Sequence, residues 1–295
     1  MCFMNEKIKE YLAWKASYAL RASVAYKIWL ERFVTICGEK DLNDYSVMDI
    51  VKYRNWIESR YSSYNLQFAV IIIKNFFRYY RLKNCTCLSP DLIRLPRISA
   101  KSHRAVTPVE FEKIISVIPT NEFLHLRDSV MIRLLWDTGV RVSELCDLEI
   151  SAIDESKTTT VIATKKTGKK RIIVWSDQTH QLLIKYLGIR QQLHNTNRAT
   201  SALFLGYKKG RGWSMRITSR SVQRRLQEYV RIVGINEKVT PHSFRHGWAH
   251  VRRDKNASLA FIQRGLGHNN PASTFVYEQY NDPDFVKNAR QLLAA

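Results

Sequence analysis

The chain has 295 residues, with 45% hydrophobic and 25% charged side chains, the proportions of a globular protein long enough for two ordinary domains and unlike those of a disordered chain. Its formal net charge is +21, split as 18 basic against 9 acidic residues in 1–105 and 29 against 17 in the remainder, so the excess is no basic tail. Charge spread over both halves suits a protein that embraces a polyanion with most of its length, and nucleic acid is a better fit than an anionic membrane surface.

The first residues, MCFMNEKIKEY, lack a basic flank leading into an apolar stretch, so no signal peptide is expected. The longest apolar run, Phe68 to Ile73, covers a turn or two of helix and cannot span a bilayer. A short first helix is predicted near Asn5–Lys15. A second carries Tyr26, Trp29, Leu30, Phe33, Val34 and Cys37 at helical spacing and stops at Gly38. Ser46 and Asp49 form a capping-box pattern for a helix to about Ser59, and a strong helix follows over Ser63–Leu82. Together these read as a four-helix bundle. On the last helix Lys74, Arg78 and Arg81 share one face, which is either a solvated stripe or a surface laid on a DNA backbone.

From Ser89 to Arg104 periodicity is lost: Pro90 and Pro96 accompany Arg94, Arg97, Lys101, His103 and Arg104, the signature of an extended basic linker. The expected organisation is a helical DNA-binding domain over 1–98, a linker over 99–105 and a second domain over 106–295. Cys2, Cys37, Cys85, Cys87 and Cys146 are an odd, scattered set without metal-ligand spacing. Reduced thiols and a cytoplasmic location are the natural expectation.

In the second domain Thr107-Pro108-Val109-Glu110 starts a helix, and Leu126–Asp137 forms another that ends at Thr138-Gly139. Arg141 then opens a third, with Glu144 placed to pair with a nearby cation. A cation at a helix start opposes the dipole, a cost tolerable where an anion is to be bound. Thr158–Thr164 and Arg171–Trp175 are the convincing strands, joined by the basic turn Lys165–Lys170 with Gly168. Edge lysines commonly only guard against strand pairing, but a hairpin of this kind can also present a lysine to a phosphate. Helices are expected over Thr179–His194 and Arg220–Val233, with a glycine- and arginine-rich loop, Gly206–Arg216, between them.

The chemistry-bearing stretch lies near the C-terminus, where His242 and Arg245 stand at H-x-x-R spacing, Leu266-Gly267-His268 follows, and Tyr277 comes nine residues after His268. Tyr offers an oxygen nucleophile, Arg a two-pronged donor matched to phosphate oxygens, and His hydrogen bonds and proton traffic. His242, His246 and His250 at i, i+4 and i+8 are a decoy for a metal site. No acid intervenes as in H-E-x-x-H, and Arg245 would repel a cation there.

GVRVSEL, the lysine hairpin, HSFRH, LGH and the tyrosine, in this order, resemble the tyrosine recombinase (phage integrase) family in its compact, two-domain, Xer-like form. The resemblance covers nearly the whole chain. It implies a mainly α protein, with an all-α core-binding domain and a mixed, mainly α catalytic domain holding a small β-sheet or hairpin. It further implies a site-specific recombinase that cuts and rejoins DNA through a 3′-phosphotyrosine intermediate and a Holliday junction, without cofactor, metal or ATP. The biological task would be dimer resolution or integration and excision of a mobile element. Partners would be a double-stranded recombination site and further copies of the chain, or a related recombinase, as a dimer on each site and a tetramer in synapsis.

Carried over by residue, Arg141 and Arg245 would clamp the scissile phosphate, and Lys166 would protonate the leaving oxygen. His242 would assist proton transfer, His268 would hydrogen-bond the phosphate, Tyr277 would attack, and Glu144 would buttress. Lys165 stands where a glycine is usual and Val174-Trp175 where Val-Pro is frequent, so Lys165 and Lys169 rival Lys166; Tyr280 rivals Tyr277. The segment Asp282–Ala295 is amphipathic: it either folds back on its own domain or, as the resemblance implies and as is expected here, docks on a neighbouring protomer. A type IB topoisomerase and a catalytically silent DNA-binding relative are the alternative readings.

Overall fold

A computed structural model of the chain describes residues 4–97, 104–163, 168–194, 200–208 and 212–268. The chain divides into two compact units, Met1–Lys101 and Ser102–Ala295.

The first unit is helical: α1 spans Met4–Cys37, α2 Val47–Glu58 and α3 Ser63–Leu82, followed by a 3-10 turn at Pro90–Leu92. The two helices expected before Gly38 are one continuous helix of 34 residues, so the unit is not a four-helix bundle. The reason is local: the stretch between the two expected helices contains no Pro or Gly and is rich in alanine, which favours propagation over a break. Gly38, at φ +87°, ends α1 in a conformation that L residues rarely adopt, and its N–H donates to the Val34 carbonyl at 2.8 Å. Asp49 starts α2 by accepting from the Ser46 N–H at 2.9 Å. It also binds Lys40 at 2.7 Å. The buried face of α3, with Leu66, Val70, Ile73, Phe76, Phe77 and Tyr80, packs on Tyr11, Leu30 and Phe33 of α1 and Tyr53 of α2. The Tyr80 hydroxyl donates to the Lys7 carbonyl at 2.7 Å, and that of Tyr53 to the Trp29 carbonyl at 2.7 Å.

The second unit is built around α5 (Phe123–Thr138), in which every residue from Leu126 to Leu135 is buried. A helix covered on all sides must satisfy its charged residues internally. Asp128, fully buried, accepts from Arg127, from Arg225 Nε at 2.6 Å and from the Tyr229 hydroxyl at 2.9 Å. Around α5 stand α4 (Pro108–Ser116), α6 (Val142–Asp147), α7 (Asp177–His194), α8 (Ser219–Ile232) and α9 (Pro241–Asp254), and α10 (Leu259–Leu266) packs on α9. Thr107 and Glu110 form the capping box that begins α4, as the sequence predicts.

β1 (Thr159–Ala163) pairs antiparallel with β2 (Lys170–Val174), from Thr159 opposite Val174 to Ala163 opposite Lys170. Trp175, where proline is frequent in the resembled family, prolongs this ladder: its N–H donates to the Thr158 carbonyl at 3.0 Å, which proline could not do. The expected Gly206–Arg216 loop is instead a second hairpin of β3 (Leu205–Lys208) and β4 (Gly212–Arg216), irregular between Gly206 and Lys208. Its glycines hid it from the sequence reading. The Tyr207 and Trp213 rings, 5.2 Å apart, are a cross-strand pair of the kind that stabilises such ribbons. Among the described residues no helix is long and apolar enough to cross a membrane.

Candidate active site

Two left-handed glycines set the geometry. Gly139 (φ +61°) terminates α5 and Gly267 (φ +63°) terminates α10, and each turns the chain so that a chemistry-bearing residue follows at once. Arg141 comes two residues after the first, His268 directly after the second.

Arg245, on α9, joins these two helix ends. Its guanidinium donates through Nη1 to the Gly139 carbonyl at 2.7 Å and through Nη2 to the Leu266 carbonyl at 2.6 Å. Both acceptors lie at helix C-termini, where carbonyls lack intrahelical partners and the dipole is negative, so a buried guanidinium is well placed. Arg245 is only 4% exposed. Its helix begins with the Thr240 cap and Pro241 at the first position, which puts His242, exposed, in the first turn. Gly247, two residues after Arg245, permits close approach of α9 to the chain before α4: a Cβ there would collide with the Val106 backbone carbonyl.

Arg141 precedes α6 and is half-buried. Its backbone N–H donates to Glu144 Oε2 at 2.9 Å and its Nη1 to Oε1 at 3.0 Å. Glu144 is itself buried and carries a second cation: Arg171 of β2 donates to Oε1 at 3.1 Å through Nη1 and to Oε2 at 2.6 Å through Nη2. Burial alone would raise the Glu144 carboxyl, but the hydrogen bonds from Arg171 and from the Arg141 N–H, with both guanidinium charges, outweigh it and hold the group down to about 2. His268 moves the same way for a different reason. Burial first, then the positive charges of Arg245, Arg141 and Arg171, lower its imidazole to about 4, so it is neutral at physiological pH. All three guanidiniums therefore act on one imidazole, which brings Arg141, Arg245 and His268 to one place although 127 positions separate the first from the last.

The resulting centre sets three guanidiniums, those of Arg141, Arg171 and Arg245, against the single carboxylate of Glu144, which Arg141 and Arg171 share, together with a neutral imidazole. That combination suits an anion whose charge grows during reaction.

The lysine-bearing residues 164–167 of the hairpin, Lys165 and Lys166 included, lie outside the described residues, as do Tyr277, Tyr280 and the segment 282–295. Lys169 is exposed beside Gly168, whose φ is +66°. In the first unit Arg78 and Arg81 are exposed, whereas Lys74 is half-buried and its Nζ donates to the Ile93 carbonyl at 3.2 Å, which ties α3 to the segment after it. His250 is lowered by burial first and then by Arg253. Among the described residues no group of three or more His, Cys, Asp or Glu is arranged to hold a metal ion.

Sequence reasoning missed Arg171. The signal that could have found it is its register: Arg171 and Ile173 are the inward residues of β2, and an arginine on the apolar face of a strand demands a buried carboxylate.

The sequence pattern of the phage integrase family matches residues 104–283. A relative named tyrosine recombinase XerC, from Anoxybacillus flavithermus, is 28% identical over 275 residues, covering 91% of this chain and 90% of the relative. A second protein of that name, from Myxococcus xanthus, is 32% identical over 211 residues, covering 70% and 68%. Among solved structures, the XerH site-specific recombinase bound to palindromic difH substrate in a post-cleavage complex superposes with a TM-score of 0.76 at 19% identity, covering 98% of this chain and 84% of that one. The last likeness is one of fold.

Proposed function

The chain belongs to the phage integrase family, and from that premise we propose that it is a site-specific tyrosine recombinase that breaks and rejoins DNA through a covalent 3′-phosphotyrosyl intermediate. One observation carries this reading: the Arg245 guanidinium donates to the carbonyls of Gly139 and Leu266, so the helix ends that lead to Arg141 and to His268 meet at one buried cation.

In this reading Arg141 and Arg245 hold the non-bridging oxygens of the scissile phosphate. His268, neutral, donates a hydrogen bond to it without adding a further charge. The Tyr277 oxygen attacks phosphorus as its proton leaves, assisted by His242. The bond to the 5′-oxygen breaks, and Lys166 delivers a proton to that oxygen. Charge on the phosphoryl oxygens rises in the transition state, and guanidiniums already fixed by Glu144 and by the two helix-end carbonyls need no reorganisation to meet it. The tyrosyl ester conserves the phosphodiester, so a 5′-hydroxyl from a second strand reverses the reaction without ATP. Exchange on one pair of strands and then on the other passes through a Holliday junction. A dimer on each site and a tetramer in synapsis would supply the four nucleophiles, and the basic first unit, with Arg78 and Arg81 exposed, would hold the duplex. A nucleoid-bound enzyme of the cytoplasm is the corresponding location. The topoisomerase and silent-relative readings are less well supported, since each match named above is a recombinase.

The test uses the full chain and a pool of nicked duplexes randomised over about three helical turns. The nick releases the cleaved fragment and traps the adduct. A protein–DNA adduct surviving denaturation, recovered from the wild type and lost in Tyr277→Phe, is the expected result. Failure of the wild type to form any adduct overturns the enzyme reading, and relaxation of a plasmid that lacks the recovered sequence favours the topoisomerase.

A further inference from the structure

Arg171 has no part in the motif set, yet its side chain joins strand β2 to both phosphate-side elements. Its side chain is 6% exposed. Nη1 and Nη2 grip the two oxygens of Glu144, the same carboxylate that binds Arg141. On its other side it lies against Gly267: a Cβ there would stand 2.9 Å from Arg171 Nη1 and 3.1 Å from its Cδ. The backbone that delivers His268 thus runs over the Arg171 guanidinium, and only glycine both allows the turn and leaves room for it.

The charges explain what this contact can do. A buried carboxylate with a single cationic neighbour would draw Arg141 into a closed ion pair and spend on Glu144 the charge meant for a phosphate. With Arg171 gripping both its oxygens, Glu144 still accepts from Arg141 but is already compensated. We propose that Arg171 is a positioning residue of the strand-cleavage site: it satisfies Glu144 so that Arg141 stays available to the phosphate, and it fixes the hairpin strand against the loop of His268. The inference rests on the recombinase reading and adds a residue to it. An ordinary structural ion pair makes a different prediction. Removing one partner of such a pair is costly, but the cost appears in stability and bears no special relation to the chemical step.

The experiment compares Arg171→Gln, Arg171→Lys, Glu144→Gln and the double variant Arg171→Gln/Glu144→Gln. The DNA is the duplex recovered by adduct selection with the wild type, the readouts are single-turnover adduct formation, its pH profile and the melting temperature. Arg171→Gln is expected to slow adduct formation by about 10–100-fold, the scale of a small misplacement at a reacting centre. Arg171→Lys keeps the charge but not the two-pronged grip, and is expected to be slowed while folded. The double variant is expected to be faster than Arg171→Gln alone, because the uncompensated carboxylate is gone; such non-additivity marks residues that act through one another. For the same reason the rate of Arg171→Gln relative to wild type should rise as pH falls into the ordinary carboxylate range.

A double variant as slow as or slower than Arg171→Gln overturns the proposal, as does wild-type speed in Arg171→Gln. Should Arg171→Gln not fold, Arg171→Lys decides: wild-type speed there overturns the proposal, and a slowed rate at unchanged melting temperature supports it. A wild type that forms no adduct would instead sink the recombinase reading itself.

Discussion

The two units solve the same packing problem with different chemistry. The first buries aromatic and aliphatic side chains, and among its described residues Asp49 is the charged group classed as buried. The second buries Arg127, Asp128, Arg133, Glu144, Arg171, Arg190 and Arg245 as well as a large apolar core. Buried guanidiniums are costly unless their donors are directed, and two of them here are directed at irregular joins. Arg190 donates to the carbonyls of Thr200, Ala202 and Leu203, and Arg245 to those of two helix ends. A fold that keeps non-helical chain in its interior needs such donors, and a phosphate-binding site is the same device with one face left to the ligand. Apolar packing holds helices together; directed cations hold the turns that carry chemistry.

The contrast would break first at Arg245. Arg245→Met, an apolar replacement of similar length, is expected to lower adduct formation by on the order of 10²–10³-fold. It should also destabilise the second unit by about 2–5 kcal/mol, because two buried carbonyls lose their donor. Chemical denaturation and single-turnover cleavage measure both, and a neutral outcome would make the arginine no different from a core residue. In the first unit Phe33→Ala is expected to cost about 3–5 kcal/mol in stability. Cleavage at saturating DNA, measured below the melting transition, should stay near the wild-type rate. A matching fall in the chemical step would deny that the division of labour is real.

Gly247→Ala is expected to cost about 1–3 kcal/mol, since the methyl group meets backbone at Val106 and no flexible side chain can yield. Acidification sharpens the comparison further. With the His268 pKa down at about 4, the unfolded chain takes up a proton first, so stability is full above the ordinary imidazole range and falls from about 6.5 toward 4. Glu144, held to about 2, contributes stability that is present above about 4.5 and lost as pH falls from there toward 2. Melting curves across this range should show the His268 part removed in His268→Asn. The smallest effect is predicted for Tyr53→Phe, about 1 kcal/mol for a single neutral hydrogen bond to the Trp29 carbonyl, with catalysis untouched.

Much of the architecture was legible because it is local. The Thr107–Glu110 box, the Ser46–Asp49 start and the stops at Gly38 and Gly139 stand where the pattern of residues places them. The β1–β2 pairing was equally visible in its β-branched runs. The continuity of α1 was missed because the apolar stripe is interrupted while helix propensity is not, and the β3–β4 hairpin was missed because glycine masks a strand that the Tyr207–Trp213 contact sustains. Of the candidate site, motif order named Arg141, Arg245 and His268, and the structure brings the two guanidinium charges to bear on the neutral imidazole. Lys166 and Tyr277 rest on the sequence.

The sequence by itself determined where most helices begin and end, the continuous α1 excepted, and which residues are equipped for phosphate chemistry, since caps, turns and residue types act within a few positions. Only the tertiary structure decided which partners those residues take. Arg245 reaches a carbonyl 106 positions away and Arg171 a carboxylate 27 positions away. No local spacing encodes such pairs. They follow from packing, because a buried guanidinium is stable only where the folded chain happens to bring it acceptors.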